Sequence, residues 1–515
     1  MFMYRTYLQM FFILCCSLAF GQASFAQGKP VKTENGLIAG LQKGSVRSFL
    51  GVPFAAPPIG DLRWKAPQPV QNWQGVKACT TFPASAIQAD PVPFMMWTEE
   101  FIAPPKPLSE DCLYLNVWTA AKSSKEKRPV FVWIHGGGFT SGASTCAVYD
   151  GDALAQKGLV FVSINYRLGA FGFLSHSELS KESGHNASGN YALLDQIAAL
   201  QWIKKNITAF GGDPNNVTIA GQSAGSFAVN ALIASPLAKG LFHRAIPQSG
   251  GLFNPGRIKS LPDAEKTGQL FMKNAGVSNL AELRQKSAEE VLKIAATIPW
   301  GSFGPVSDEY VLPTDLYTYF KQQKQNQIPI LTGWVTGDGN LAAGQNTTAQ
   351  QFKDNSKKVY GDKLDAFLAL FPANSDAEAG KSALKQGLIS FAVLSSHVMA
   401  TTNSMPSFLY QFSHVPVDKP DFPNYGAFHT SEVPFALHTL HLWKRPWRKA
   451  DYDMEKIMSQ YWVNFAKNGD PNGPGLPVWK AYESKTRTIL ELGDPIVPKP
   501  GLFQQEINFM EALVH

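Results

Sequence analysis

The sequence has few cysteines and lacks the common short motifs of metal and phosphate sites. Only 5 of its 515 residues are cysteine. It contains no His-Glu-x-x-His segment, no Cys-x-x-Cys cluster and no glycine-rich phosphate loop. The sequence therefore predicts neither a metal ion nor another cofactor.

Basic runs with interleaved aromatic residues are also missing. The formal net charge of +6 is spread along the chain. A dispersed surplus of this kind favours solubility and does not indicate a basic surface for nucleic acid. We expect no nucleic-acid partner.

The first 26 residues differ in composition from the rest. Arg5 precedes an apolar run from Tyr7 to Phe20, and the following Ser24-Phe25-Ala26 has small residues where signal peptidase needs them. This pattern is typical of a cleaved signal peptide, and the run is shorter than the roughly 20 residues of a spanning helix. We therefore expect a secreted or periplasmic protein cleaved near Ala26, with no membrane anchor afterwards.

The remaining chain, residues 27–515, alternates buried-strand patterns with helical ones. Runs that are apolar at every position indicate a sheet covered on both faces, and the alternation predicts a mostly parallel α/β sheet. A helix-rich stretch from Ser260 to Tyr319 is predicted to be an insertion over the carboxyl ends of the strands. No linker divides the chain, so we expect one domain. The predicted strands are Val130–Ile134, Leu159–Ile164, Val217–Ala220, Pro329–Thr332 and Leu409–Phe412, and the clearest helices cover Leu193–Ile203 and Met454–Phe465, the latter capped by Asp453.

One predicted strand runs directly into Gly221-Gln222-Ser223-Ala224-Gly225, and a helical pattern follows. A strand, Gly-x-Ser-x-Gly and a helix form the nucleophile elbow of hydrolases, in which a strained turn exposes the serine. We expect Ser223 to be a nucleophile.

A second motif follows the strand Val130–Ile134, where the chain reads His135-Gly136-Gly137-Gly138. Glycine runs leave backbone N–H groups free to bind an oxyanion. Gly137, Gly138 and Ala224 are the expected donors.

With these motifs in order, the chain resembles the type-B carboxylesterase family, which includes cholinesterases and non-catalytic adhesion relatives. The resemblance implies an α/β-hydrolase fold and the cleavage of carboxylic esters through an acyl-enzyme. Its further motifs are Phe49–Ala55, Leu62–Trp64, Ser109–Val117, Asn165–Gly169, Phe210–Pro214, Trp462 and Gly469–Asn472.

The same resemblance supplies two residues that spacing alone does not. The segment Gly333–Gly339 is similar to the family's acid segment and implies that Asp338, where most relatives have Glu, is the triad acid; Asp308 and Glu309 are the nearest alternatives. The segment Gly426–Glu432 implies His429 as the general base. Ser223, Asp338 and His429 then follow the order Ser, acid, His expected of this fold.

The resemblance also implies two structural pairs. Cys79 and Cys112 correspond to the family's first disulfide, which leaves Cys146 as a spare thiol. Glu110 and Arg167 correspond to a buried ion pair.

The substrate is less defined by the sequence. Gln222 stands where the family usually has Glu, which favours a neutral ester over a choline ester. Trp97 lies in the loop between Cys79 and Cys112, where cholinesterases carry a cation-stacking Trp, but its distance from Cys112 differs and packing is the alternative role. By family analogy, Trp300 and Phe303 line the acyl pocket. An amidase or thioesterase using the same triad, and a non-catalytic adhesion-type member, are the alternative functions.

Overall fold

The computed structural model describes residues 26–253, 258–342, 347–420 and 422–513. Nearly all of the predicted signal peptide, residues 1–25, lies outside the described residues. The expected cleavage near Ala26 falls at their first residue.

A twelve-stranded sheet runs through the described part of the chain. From one edge to the other its strands are Ala26–Gln27, Leu41–Lys43, Val46–Pro53, Tyr114–Thr119, Val160–Ile164, Arg128–Ile134, Gly212–Gln222, Arg244–Gln248, Ile330–Val335, Ser407–Phe412, Ile489–Leu492 and Val497–Lys499. The seven strands from Val160–Ile164 to Ile489–Leu492 are parallel, and the strands outside them pair antiparallel. All five predicted strands are confirmed; four start within two residues of the predicted position, and the fifth starts at Gly212, five residues before Val217.

Short strands of the described ranges form three smaller sheets beside the main one. These contain Val31–Lys32 with Leu37–Ala39 and Val76–Ala78, Ser85–Ala86 with Leu108–Ser109, and Lys259–Ser260 with Val306–Ser307.

The sheet is buried on both faces. Along the strand Arg128–Ile134, Val130 and Val132 join one hydrophobic cluster and Phe131 and Trp133 join another on the opposite side. Alternate side chains of a strand point to opposite faces, so each cluster is the core of one side. The prediction of a sheet covered on both faces is confirmed.

Helices supply the other side of each core. They are Asp152–Gln156, Gly169–Phe173, Ser177–Glu182, Tyr191–Asn206, Ala224–Ala234, Leu261–Ala275, Leu280–Arg284, Ala288–Ala295, Leu316–Lys321, Gly339–Ala342, Ala349–Tyr360, Leu364–Leu370, Asp376–Leu388, Leu394–Thr402, Val433–Leu437, Lys449–Asn468 and Gln504–Glu511, with a π-helical turn at Ile389–Val393. Both predicted helices are present, and 260–319 is largely helical as expected. The cap was wrong: the helix begins at Lys449, where Asp451 accepts from the Arg448 N–H, and Asp453 lies inside it.

The predicted Glu110–Arg167 ion pair was wrong. Glu110 instead accepts two hydrogen bonds from Arg63, at 2.6 and 2.5 Å. Arg167 bonds both carboxylate oxygens of Asp195, at 2.8 and 2.7 Å, and both side chains are buried. A planar guanidinium matches a carboxylate in this two-bond geometry, so each arginine takes its own acid.

The predicted disulfide is also not present in the structure. Cys79, Cys112 and Cys146 are all free and buried. Burial raises the pKa of the Cys79 thiol to about 11 and raises that of Cys112 further.

Within the described ranges, no helix is both long and apolar enough to cross a membrane.

Candidate active site

Ser223 lies on a sharp turn between the strand Gly212–Gln222 and the helix Ala224–Ala234. Its backbone has φ 58° and ψ −123°, a conformation that non-glycine residues rarely adopt. The Ser223 N–H donates to the Gln248 carbonyl on the adjacent strand, and the Ser223 carbonyl accepts from the Phe227 N–H, both at 3.0 Å. Neighbouring elements thus hold the strained turn that the sequence predicts.

The two glycines of the motif are required by close approach. A Cβ on Gly225 would lie 2.0 Å from the Ile134 carbonyl oxygen. A Cβ on Gly221 would lie 2.7 Å from the same oxygen. The turn therefore packs directly on the end of the neighbouring strand, where no side chain fits.

His429 and Asp338 are brought together although 91 residues separate them. The His429 Nδ1 atom lies 2.6 Å from Asp338 Oδ1, and both side chains are buried. The other Asp338 oxygen accepts from the Val335 N–H at 3.1 Å, which fixes the carboxylate on its 3₁₀ turn Thr336–Asp338. This is the arrangement of a histidine whose tautomer is set by a carboxylate.

The two segments that carry these residues are also bonded to each other. The Gly337 N–H donates to the Ala427 carbonyl at 2.9 Å. A Cβ on Gly337 would lie 2.5 Å from that oxygen. The glycine next to the acid thus allows the acid turn to reach the histidine segment.

Neither alternative acid reaches His429. One Asp308 oxygen accepts from the Asn190 amide at 2.9 Å, and the other accepts from backbone N–H groups of its own turn. Glu309 accepts from the Thr314 N–H at 3.0 Å. Both acids stabilise loops, which leaves Asp338 as the carboxylate at the imidazole.

The Ser223 hydroxyl is not hydrogen-bonded to His429 among the interactions of the described residues. Its neighbour Gln222 does contact the ring: the Gln222 Nε2 atom lies 3.1 Å from His429 Nε2 and 3.3 Å from Nδ1. The elbow and the imidazole are therefore adjacent. Catalytic hydrogen bonds are often long without substrate and tighten in the complex.

The glycine run approaches the nucleophile from the neighbouring strand. A Cβ on Gly136 would lie 3.1 Å from the Ser223 Cβ and 2.7 Å from the Gln222 carbonyl. Gly137 and Gly138 have φ values of 114° and 62°, and their N–H groups have no protein acceptor within the described residues. Ala224 is the first residue of its helix, where backbone N–H groups have no intrahelical partner. The glycine run thus reaches Ser223 at Gly136, which Gly137 and Gly138 follow in the chain, and Ala224 is the residue after Ser223; their role as oxyanion donors stays a prediction.

His135, the residue before this glycine run, packs on Tyr166. Its ring stacks on Tyr166 with centroids 4.3 Å apart, and the Tyr166 hydroxyl donates to the His135 carbonyl. Burial lowers the pKa of His135 to about 4. The ring is therefore neutral at neutral pH and acts as packing for the glycine turn.

Glu432 is a buried acid that the sequence reasoning did not single out. Its carboxyl accepts from the Ser249 hydroxyl at 3.2 Å and from the Tyr410 hydroxyl at 2.8 Å. Burial, with the nearby charge of Asp338, raises the pKa of Glu432 to about 8. Its position three residues after His429 was a sequence signal of an acid near the site, but only the fold brings Ser249 and Tyr410 to it.

Three aromatic residues predicted near the substrate have different surroundings. Trp97 donates to the Thr430 hydroxyl at 2.9 Å, and its ring centroid is 6.4 Å from that of His429. Trp300 is 86% exposed and lies 3.8 Å from a Cβ position on Gly138. Phe303 is instead buried against Phe271. Trp97 and Trp300 border the site.

Among the described residues, no group of three or more His, Cys, Asp or Glu side chains could hold a metal ion.

Comparison with known proteins gives the chain a family. The model of the carboxylesterase family matches residues 27–510. Fumonisin B1 esterase of Sphingopyxis macrogoltabida is 35% identical over 91% of this chain and 87% of its own length, and para-nitrobenzyl esterase of Bacillus subtilis is 34% identical over 90% and 95%. A solved structure of PNB esterase superposes with a TM-score of 0.82 at 30% identity, covering 94% of this chain and 99% of that one. The fold is that of an α/β-hydrolase, and the chain belongs to the carboxylesterase family as a carboxylic ester hydrolase.

Proposed function

We propose that this protein hydrolyses neutral carboxylic esters through an acyl-enzyme on Ser223, with His429 as general base and Asp338 as its orienting acid. The observation that carries the proposal is the 2.6 Å contact between buried Asp338 and His429, with the strained Ser223 turn against the same imidazole. A carboxylate, an imidazole and a hydroxyl in this order form an activated nucleophile.

In the first half of the reaction, Ser223 Oγ attacks the ester carbonyl carbon and its proton passes to His429 Nε2. The Nδ1–H of His429 remains bonded to Asp338, whose negative charge stabilises the imidazolium. When the tetrahedral intermediate collapses, the bond to the alkoxy oxygen breaks and the same proton goes to the leaving alcohol. Water repeats these steps on the acyl-enzyme and releases the carboxylic acid.

The tetrahedral intermediate carries a negative charge on the former carbonyl oxygen. The N–H groups of Gly137, Gly138 and Ala224 are the donors proposed for it. Losing one such donor typically costs about 3 kcal/mol of transition-state stabilisation. Gly138 also has a φ of 62°, so a larger residue there would strain the backbone.

The substrate that we propose is a neutral ester of small to medium or aromatic groups. Gln222 contributes an amide rather than a carboxylate beside the site, which offers no negative charge to a cationic alcohol. Trp97 and Trp300 provide aromatic surface near His429 and Gly138. The relatives named fumonisin B1 esterase and para-nitrobenzyl esterase support cleavage of an ester without identifying the natural substrate.

The test is a panel of nitrophenyl esters that vary separately in acyl and alcohol size, with a p-nitrobenzyl ester, a choline ester, an anilide and a thioester. We expect the neutral oxygen esters to have the highest kcat/KM and Ser223→Ala to reduce kcat by several orders of magnitude. Faster turnover of the anilide or thioester would replace this proposal with an amidase or thioesterase. Equal activity of Ser223→Ala would refute the mechanism.

We further propose that residues 1–26 are a signal peptide and that residues 27–515 form one exported domain. The family match beginning at residue 27 supports this division. The test is expression of the full chain with its own N-terminus, followed by mass determination of the exported product. We expect a mature chain that begins close to Gln27; an intact N-terminus would contradict the proposal.

A further inference from the structure

The side chain of Gln222 packs against the face of the His429 imidazole. Its Nε2 atom is 3.1 Å from one ring nitrogen and 3.3 Å from the other. The lone-pair directions of the two ring nitrogens diverge, so a donor in the ring plane can approach only one of them. A point in the plane that is close to both would coincide with the Cε1–H group. The amide nitrogen therefore lies over the ring.

The orientation of the amide is defined by its other end. The Gln222 Oε1 atom is directed towards the glycine run, 3.4 Å from a Cβ position on Gly136. The N–H groups thus face the imidazole, and an N–H group directed at a ring face makes a weak attractive contact. Because Gln222 and Ser223 are consecutive on one strained turn, this contact ties the nucleophile's own backbone to the base.

The rest of the ring's surroundings contain little charge. Asp338 bonds Nδ1, while Phe391 and Trp97 approach edge to face with centroids 5.4 and 6.4 Å away. Glu432 is the next acid, and its carboxyl is bonded by the Tyr410 hydroxyl and not by the imidazole. The loop of Trp97 also carries acids, but Glu99 is paired with Lys419. Asp338 is thus the carboxylate bonded to His429, and residue 222 sets the charge at the ring face.

We propose that Gln222 is a positioning residue that holds His429 in register with Ser223. Because its amide is neutral, we propose that the esterase remains active at lower pH than it would with a carboxylate at position 222. This inference rests on the proposed function. A carboxylate in the same position would stabilise the imidazolium, and protonation would then remove the base at higher pH. An opposite charge this close typically moves a titration by about 1 to 3 pH units.

The test compares Gln222→Glu with the wild-type protein in kcat/KM against pH, using p-nitrophenyl acetate. We expect the midpoint of the acid limb to rise by about 1 to 3 pH units in Gln222→Glu. Gln460→Glu, on the helix Lys449–Asn468, makes the same charge change away from the ring and should leave the midpoint unchanged. An unchanged midpoint in Gln222→Glu would overturn the proposal.

A second variant tests the positioning role separately, and it keeps this role testable if Gln222→Glu does not fold. Gln222→Met has similar length and no N–H groups, so we expect about a tenfold lower kcat with little change in KM and in the acid midpoint. Wild-type kcat in Gln222→Met would overturn the positioning role. Ser223→Ala in the same assay separates the two proposals, because an active Ser223→Ala would refute the function itself.

Discussion

Replacing Asp338 by Asn removes one charge and leaves the shape of the side chain almost unchanged. The carboxylate lies 2.6 Å from His429 Nδ1, and both groups are buried, so little water screens their interaction. With charge centres about 4 Å apart and an effective dielectric constant of about 20, the lost stabilisation of the imidazolium is about 4 kcal/mol. That energy corresponds to roughly a thousandfold in kcat, and loss of the correct tautomer should bring the decrease towards 10⁴-fold.

The assay is steady-state hydrolysis of p-nitrophenyl acetate at a pH where the wild-type rate is on its plateau. Asp338→Glu keeps the charge and adds one methylene in a buried position, so it should lose less activity than Asp338→Asn. Asp308→Asn is the control for the alternative acid, and its kcat should stay near the wild-type value. A decrease of less than about tenfold in Asp338→Asn, or a larger decrease in Asp308→Asn, would refute the assignment.

Two further predictions concern stability. The pKa of Glu432 is raised from 4.5 to about 8, so the folded state holds a proton that the unfolded state releases above about pH 4.5. The stabilising contribution of Glu432 is therefore present at low pH and lost as pH rises to about 8. From pH 5 to pH 8, the unfolding free energy of Glu432→Gln should therefore rise by about 3 kcal/mol relative to that of the wild type, as measured by urea titration. Parallel curves for the two proteins would contradict this. Asp195→Asn leaves the Arg167 guanidinium buried without its acid and should cost about 3 to 5 kcal/mol, whereas Glu289→Gln, which breaks the exposed pair with Lys293, should leave the denaturation midpoint unchanged. Equal effects of the two substitutions would show that burial does not decide the cost.

Local patterns were enough to predict the central strands and the elbow. The strand Arg128–Ile134 is apolar at nearly every position because both of its faces are covered, and that signal is visible in the sequence. The strain at Ser223 and the close packing at Gly225 also follow from a motif of five residues. These features depend on neighbours in the chain.

Pairing across the fold was harder to predict. The acids Glu110 and Asp195 each lie near an arginine only after folding, and the family analogy assigned Arg167 to the wrong one. The buried network of Glu432 with Ser249 joins residues 183 positions apart, a separation that no local pattern encodes. Asp338 was predicted by resemblance, and only the fold brings it next to His429, 91 residues away in the chain.

The central claim is that Ser223 becomes covalently acylated. Rapid quenching of the protein with excess p-nitrophenyl acetate, followed by peptide mass analysis, measures this directly. The account predicts one acetyl group per chain on the peptide that contains Ser223, formed during a burst of nitrophenol, and neither the adduct nor the burst in Ser223→Ala. Acetylation at another residue in an active Ser223→Ala protein would contradict it.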